Sequence, residues 1–219
     1  ETMVNVKRYD VTVAGTGGAP MVLSPEGSRG NFFNDQARYT DSVQGRATLV
    51  HAARQSTSGG HLFKLGADLM WSAYNGHSTS RPVEIHRTDG TLAERTIFGP
   101  TSTQDVSGTD LALFAQDKWS ASQALTIELG FRADRDGVTR RVGWSPRMGA
   151  ALRPGGDGKT VLRGGAGVFY QRTPLNVGAF TSYEPRSIQR FGPDGRTPLS
   201  GPDTFTHEHG DLNAPRSLV

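Results

Sequence analysis

Between Leu125 and Asp134, apolar and polar side chains take turns. Leu125, Ile127, Leu129, Phe131 and Ala133 share one parity; Thr126, Glu128, Gly130, Arg132 and Asp134 share the other. A period of two demands extended backbone with one oily face and one wet face. A helix would scatter these residues around its circumference. The neighbours repeat the pattern. Trp144, Met148, Ala150 and Leu152 oppose Arg147, Gly149, Ala151 and Arg153, and Leu162, Ala166, Val168 and Tyr170 oppose Arg163, Gly165, Gly167 and Gln171. Upstream, Phe63, Leu65, Ala67, Leu69, Trp71 and Ala73 form an apolar row against Lys64, Gly66, Asp68 and Ser72, with Leu62 and Met70 as exceptions.

The chain therefore reads as an all-β antiparallel meander. Strands are expected over Thr2–Val13, Ser42–Arg54, His61–Tyr74, Ser107–Trp119, Leu125–Asp134, Trp144–Arg153 and Thr160–Arg172. Pro215–Val219 reads as the opening of one more. Within the polar stretch Asn75–Asp105, Pro82–Arg87 and Leu92–Phe98 flank Thr88-Asp89-Gly90-Thr91. Asp-Gly between alternating segments predicts a small hairpin there. The connections alternate in length. Short turns fall at 55–60, 120–124 and 154–159; longer, Gly/Pro-rich loops fall at 14–38, 75–105, 135–143 and 173–214. One plain end and one elaborated end is the habit of outer-membrane barrels, with short periplasmic turns and long extracellular loops.

Composition agrees with that reading. Only 35% of the 219 residues are apolar, 28 are glycine, and no apolar run reaches the ~20 residues of a spanning helix. Strands of a membrane barrel hide their hydrophobicity in alternation, so this excludes helical membrane proteins alone. With no cysteine, disulfides, thiolate metal sites and thiol nucleophiles are unavailable. The net charge of +3 comes from scattered residues, and no Lys/Arg run argues for nucleic acid.

With the apolar rows against outer-membrane lipid, Glu128, Arg132, Arg147 and Arg163 face the lumen. Turning a strand over would put Arg132 or Arg163 in lipid, at ~2–4 kcal/mol each near the midplane. That cost sets the facing, and with it the register. Asp117 shares outward parity with Leu113 and Ala115, but it stands near a turn, where a charge costs only ~0–1 kcal/mol. Trp71, Tyr74, Trp119 and Trp144 are candidates for the aromatic girdle at headgroup level, or are ordinary strand aromatics.

Leu-Phe-Ala-Gln-Asp-Lys-Trp-Ser followed by Leu-Thr-Ile-Glu-Leu-Gly-Phe-Arg-Ala-Asp resembles the barrel of TonB-dependent receptors. So does the run from Trp144 to Arg172, with the flavour of the Oar-like group, and the ending Gly-Asp-Leu-Asn-Ala-Pro-Arg-Ser-Leu-Val is similar to that group's entry into a later strand. The match is specific over Leu111–Arg172 and loose elsewhere. The resemblance implies a 22-stranded barrel plugged by an N-terminal domain, in the bacterial outer membrane. It also implies energised uptake of a scarce ligand such as a siderophore, vitamin or glycan, through the TonB complex. Residues 1–219 are then expected to be a part of that barrel, about seven or eight strands. Plug, signal peptide, TonB-contacting region and C-terminal strands would lie outside them. Lumen-facing Arg132 and Arg163 are the candidate ligand contacts, on an anionic ligand or on acidic groups of the plug; plain solvation with local pairing is the favoured account of them.

Other chemistry finds little support. Gly158-Lys159-Thr160 lacks the glycine of a phosphate-binding loop, since Arg153 stands five positions before Gly158, and a strand follows rather than a helix. Gly164-Gly165-Ala166-Gly167 is no dinucleotide fingerprint; such glycines relieve crowding or let a strand bend. His207-Glu208-His209 matches no named metal site and reads as solvated loop. Glu128 and Asp134 lie ~20 Å apart along one strand, too far for paired-carboxylate hydrolysis. No catalytic residue, metal ligand or cofactor emerges. The remaining readings are a passive porin or adhesin barrel, and a soluble β-sandwich binding module.

Overall fold

The computed structural model describes all residues except 16, 57–58, 155–159, 209 and 211. Numbered along the chain, the strands are β1 (Thr2–Val13), β2 (Met21–Ser24), β3 (Gly27–Arg29), β4 (Asn34–Ser56), β5 (Gly59–Ser80), β6 (Val83–His86) and β7 (Leu92–Phe98). Then come β8 (Ser102–Ser120), β9 (Leu125–Arg135), β10 (Val142–Leu152) and β11 (Leu162–Tyr170). A one-turn helix α1 (Leu175–Gly178) follows, with β12 (Arg186–Arg190), β13 (Asp203–Phe205) and β14 (Arg216–Leu218).

Eight of these make one sheet, in the order β1-β4-β5-β8-β9-β10-β11-β14, antiparallel throughout. Sequence neighbours pair in space and short connections alternate with long ones, so this is the expected meander. The expected turns at 55–60 and 154–159 centre on residues outside those described, as does most of the Gly158-Lys159-Thr160 stretch.

The side-chain facing is inverted relative to a water-soluble protein. Leu65, Leu69, Leu113, Leu129 and Met148 are each half or more exposed, while Asp68 and Gln104 on the other face are 2% exposed. Among the described residues, the buried apolar set is Ala37, Ala73, Tyr74, Ala112 and Ala179. A sheet that keeps leucine outside and aspartate inside needs hydrocarbon as its outer solvent.

Two expectations need correction. First, β4 and β5 are longer than the apolar alternation suggested. β4 starts at Asn34 rather than Ser42, and β5 runs on to Ser80 rather than Tyr74. The ladder continues from Tyr39↔Asn75 to Asn34↔Ser80. These upper ends are polar on both faces, so no alternation marks them. At ~3.3 Å per residue, β5's 22 residues reach ~70 Å, far past the ~25 Å apolar band of an outer-membrane barrel. Above that band both faces of the strand may be polar at no cost.

Second, the long loops are not structureless. β2 and β3 from the first, β6 and β7 from the second, and β12 and β13 from the third join into a six-stranded sheet, β13-β12-β7-β6-β2-β3. Only the β6–β7 hairpin was anticipated. Its turn is closed by Gly90 N–H to the Arg87 carbonyl at 2.9 Å, with Gly90 at φ +81°. The Arg87 guanidinium donates to the carbonyls of Leu92 (2.7 Å) and Phe191 (2.6 Å), which ties the hairpin to the third loop. All three loops leave the large sheet at the end away from the short turns, and there they form one body.

The outer rim by the short turns explains Asp117. His61 Nδ1 lies 2.8 Å from Asp117 Oδ2, and the His61 ring stacks between Phe63 and Trp119 at 5.5 and 5.6 Å. The awkward carboxylate is thus partnered within an aromatic cluster. Trp71 lies on the same face ten residues up β5 from His61. At a strand tilt of ~40° this spacing covers ~25 Å, the height of the apolar band between two girdles. Trp71, Trp119 and Trp144 all face outward and are exposed. Tyr74 does not belong with them, being 5% exposed and turned inward by its even parity on β5.

Candidate functional site

The inner face of the large sheet is not bare. After β11 the chain turns in across the wall. Thr173 N–H donates to Asp136 Oδ2 at 2.8 Å, above the β9–β10 hairpin. A Cβ on Gly178 would come within 3.1 Å of Val106 and 3.2 Å of Val138, so α1 lies tight against the wall there. Ala179 is fully buried. The Tyr183 hydroxyl meets that of Tyr74 at 3.1 Å, and Glu184 Oε1 accepts the Ser80 N–H at 2.9 Å. Burial first, then the hydrogen bond with Tyr74, pushes the Tyr183 hydroxyl up to about 12. Residues 171–185 therefore form a strap over the inner side of β5 and β8.

Asp136 anchors this strap. Its Oδ1 accepts the N–H groups of Val138 (2.9 Å) and Thr139 (2.7 Å), while its Oδ2 takes Thr173. Burial alone would raise its pKa; the donors from Thr139 and Thr173 outweigh burial and hold the carboxyl below its ordinary range.

Beside the anchor, a cavity of about 850 Å³ opens on the inner face, lined by Arg132, Arg135, Arg141, Arg147, Arg172 and Arg216 against Asp110, Asp134 and Asp136. Parity brings Arg132, Asp134, Gly143, Ser145 and Arg147 to one face of β9 and β10, in the register Arg132↔Ser145 and Asp134↔Gly143. Arg132 holds Asp134 through Nε at 2.8 Å and lies 6.0 Å from the Phe114 ring centre. Arg147 rests 5.7 Å from the Phe169 ring centre. Arg172 reaches back from the strap to Asp110 Oδ2 at 3.2 Å, and Asp110 Oδ1 accepts the Gly137 N–H at 2.9 Å. The Tyr170 ring fills the space over Gly143, where a Cβ would come within 2.7 Å of it. Tyr170 thus leaves the outward row that its parity with Leu162 predicted.

Of the two arginines singled out from sequence, Arg132 lines this cavity. Arg163 shares the inner parity, opposite Ala151, but stands outside the cavity. Arg147 was legible by parity. Arg172 and Arg216 were not, because each comes from beyond a loop whose path the alternation does not describe. Glu128 lies lower on the same face and meets Lys118 at 3.4 Å. On β5, in register with Ala112 of β8, Asp68 collects Gln44 Nε2 at 3.0 Å and the Arg46 guanidinium. His207 packs edge-on against Phe180, while His209 lies outside the described residues.

The cavity presents guanidinium forks and aromatic faces around a wet space. A family model described as TonB dependent receptor-like, beta-barrel, matches residues 5–214. The TonB-dependent transporter Oar of Myxococcus xanthus is 25% identical over 228 aligned positions, which cover 86% of this chain and 20% of Oar. Among solved structures, the outer membrane transporter YddB from Escherichia coli superposes with a TM-score of 0.54 at 14% identity, over 87% of this chain and 29% of that one. At that identity the likeness concerns the fold. The chain spans about a fifth of the length of the curated relative it matches.

Proposed function

The chain belongs to the TonB-dependent receptor β-barrel family, and from that premise we propose that it forms a wall segment of an outer-membrane receptor that takes up a scarce ligand with energy delivered through TonB. The observation that carries this reading is the inverted sheet: leucines outward at half exposure or more, and aspartate, glutamine and arginine inward under a strap and a second sheet. The family is one of transporters and receptors, not of enzymes. In the full-length chain a plug domain fills the lumen, the loop sheet faces the cell exterior, and the cavity wall meets the incoming ligand. Siderophores, vitamins and glycans are the ligand classes this reading allows.

A plugged receptor and a passive porin differ in two ways that need no known ligand. Full-length protein reconstituted in planar bilayers should show no steady ohmic conductance, and it should bind the periplasmic domain of TonB. A steadily open channel with no TonB binding would replace the receptor with a porin. Water-soluble, monomeric full-length protein without detergent would remove both.

A further inference from the structure

We propose that the outward hollow around Asp117 is a docking site for a phospholipid of the leaflet on the short-turn side, one whose headgroup ends in an ammonium that carries N–H. This goes beyond the uptake reading and rests on the outer face of the sheet meeting lipid.

The case begins with where Asp117 stands. It pairs with Phe63, two residues up β5 from His61 at the rim, so at strand rise and tilt it lies ~5 Å inside the apolar band. An ionisable side chain at membrane depth is costly to keep, and a partner for it is the first thing to look for. His61 is an incomplete one. Its Nδ1 meets Asp117 Oδ2 at 2.8 Å, while Oδ1 is buried and accepts no hydrogen bond among the described residues. A carboxylate offers about four acceptor sites, and His61 takes one of them. Across the ladder stand Phe63 and Leu129; along β8 stand Ala115 and Trp119. Among the described residues, His61 is the one basic group within ion-pair distance of Asp117.

The carboxylate is not sealed off. Its side chain is 25% exposed and lines an apolar hollow on the outward face. Ala115 is the floor, Phe63 and Leu65 of β5 form one wall, and Leu129 and Phe131 of β9 form the other. These three strands are paired on both sides, so the hollow does not depend on an open edge of the sheet. Along β8 the order is Trp119 at headgroup level, then Asp117, then the space over Ala115 toward the membrane centre. A phospholipid presents the same order, a charged head followed by hydrocarbon.

Chemistry selects the head. A carboxylate short of donors takes an ammonium with N–H groups through charge-assisted hydrogen bonds. A quaternary ammonium brings charge without a donor, and an anionic head is repelled. The chain below the head then covers Ala115, where a small side chain leaves room between larger neighbours. Such a lipid supplies both things the site lacks, a donor for the carboxylate and hydrocarbon for the hollow.

The test uses full-length receptor purified in detergent and stripped of lipid. It is titrated with phosphatidylethanolamine, the N-monomethyl form, phosphatidylcholine and phosphatidylglycerol, all with the same acyl chains. Native mass spectrometry reads the first lipid retained. The ethanolamine and monomethyl heads should be retained about fivefold or more over the choline and glycerol heads, as one hydrogen bond to a charged group allows. Asp117→Asn should bring the four heads within about twofold of one another, because the charge is gone. Ala115→Leu fills the hollow and should lower retention of every head by about fivefold or more. Asp41→Asn removes an outward carboxylate at the opposite rim, in register with Ala73, and should leave the preference as it was. Heat-modified gel mobility verifies that each barrel is folded. Equal retention of the four heads by wild type, an unchanged preference in Asp117→Asn, full retention by Ala115→Leu, or a lost preference in Asp41→Asn overturns the proposal. So does a receptor dimer in place of bound lipid, which would give this face to a second copy. Lipid retention requires neither TonB nor a transported ligand, so failure here leaves the uptake reading to its own test.

Discussion

Asp136→Asn isolates the tie between the strap and the wall. The aspartate is 8% exposed and serves three backbone amides and the Thr139 hydroxyl. Asparagine keeps the shape and one acceptor oxygen. If that oxygen stays with Val138 and Thr139, the side-chain NH2 faces the Thr173 N–H, donor against donor. A hydrogen bond to a charged acceptor contributes ~1.5–3 kcal/mol, and an orphaned buried donor costs a similar amount. Local opening of the strap at Thr173 should then become easier by about 2 kcal/mol, a factor of roughly 30 in its opening constant. Hydrogen exchange on full-length receptor reads this directly: peptides covering 170–176 should lose protection by one to two orders of magnitude, while those covering 125–133 stay unchanged. The effect also has a pH signature. The folded carboxyl titrates below its unfolded value of ~3.9, so its contribution is complete above that value and disappears as pH falls through the folded value. Wild type and variant should differ at neutral pH and converge in acid. Equal exchange at neutral pH would refute the assignment of Asp136 as the anchor.

Three further outcomes follow from the same geometry. Leu129→Arg should destabilise folding into lipid vesicles by ~2–4 kcal/mol in urea titration, whereas Gly149→Lys, on the inner face opposite Glu128, should cost under ~1 kcal/mol. Gly66→Ala should cost ~1–3 kcal/mol, since its Cβ would fall 2.3 Å from Phe114 Cζ and 2.7 Å from the Ala47 carbonyl; trimming Phe114 to Leu should recover part of this. Tyr183→Phe should lose ~0.5–1.5 kcal/mol of strap stability. It should also remove a tyrosine that ionises at about 12 from the alkaline absorbance titration; loss of a transition near 10 instead would place Tyr183 in water.

What was legible in the sequence follows where lipid touches the chain. From Leu125 to Leu152 each side chain is chosen by the solvent outside or inside, so parity alone placed Leu129, Phe131, Trp144 and Met148 outward and Arg132 and Arg147 inward. Pro215–Val219 was recognised as a strand opening, and β14 forms there. Where water lies on both sides, that choice vanishes. Asn34–Asp41 and Asn75–Ser80 pair as regularly as the rest without any alternation to announce it. Met21–Ser24 and Arg186–Arg190 are too short for a period to register, and they become strands through partners 62 and 88 to 96 residues away. Tyr74 was misplaced because its kind favours a girdle, although its parity pointed inward. The cavity was half legible: Arg132 and Arg147 lie on regular strands, while Arg172 enters through the strap.

The same inversion explains why the ligand could not be read from the fold. With five alanine and tyrosine side chains as its buried apolar set among the described residues, this wall has no core to lose. Its stability comes from continuous ladders and from lipid against the outer face, and neither depends on which polar groups point inward. Inner positions can therefore change charge at little cost, whereas Leu129 or Phe131 cannot.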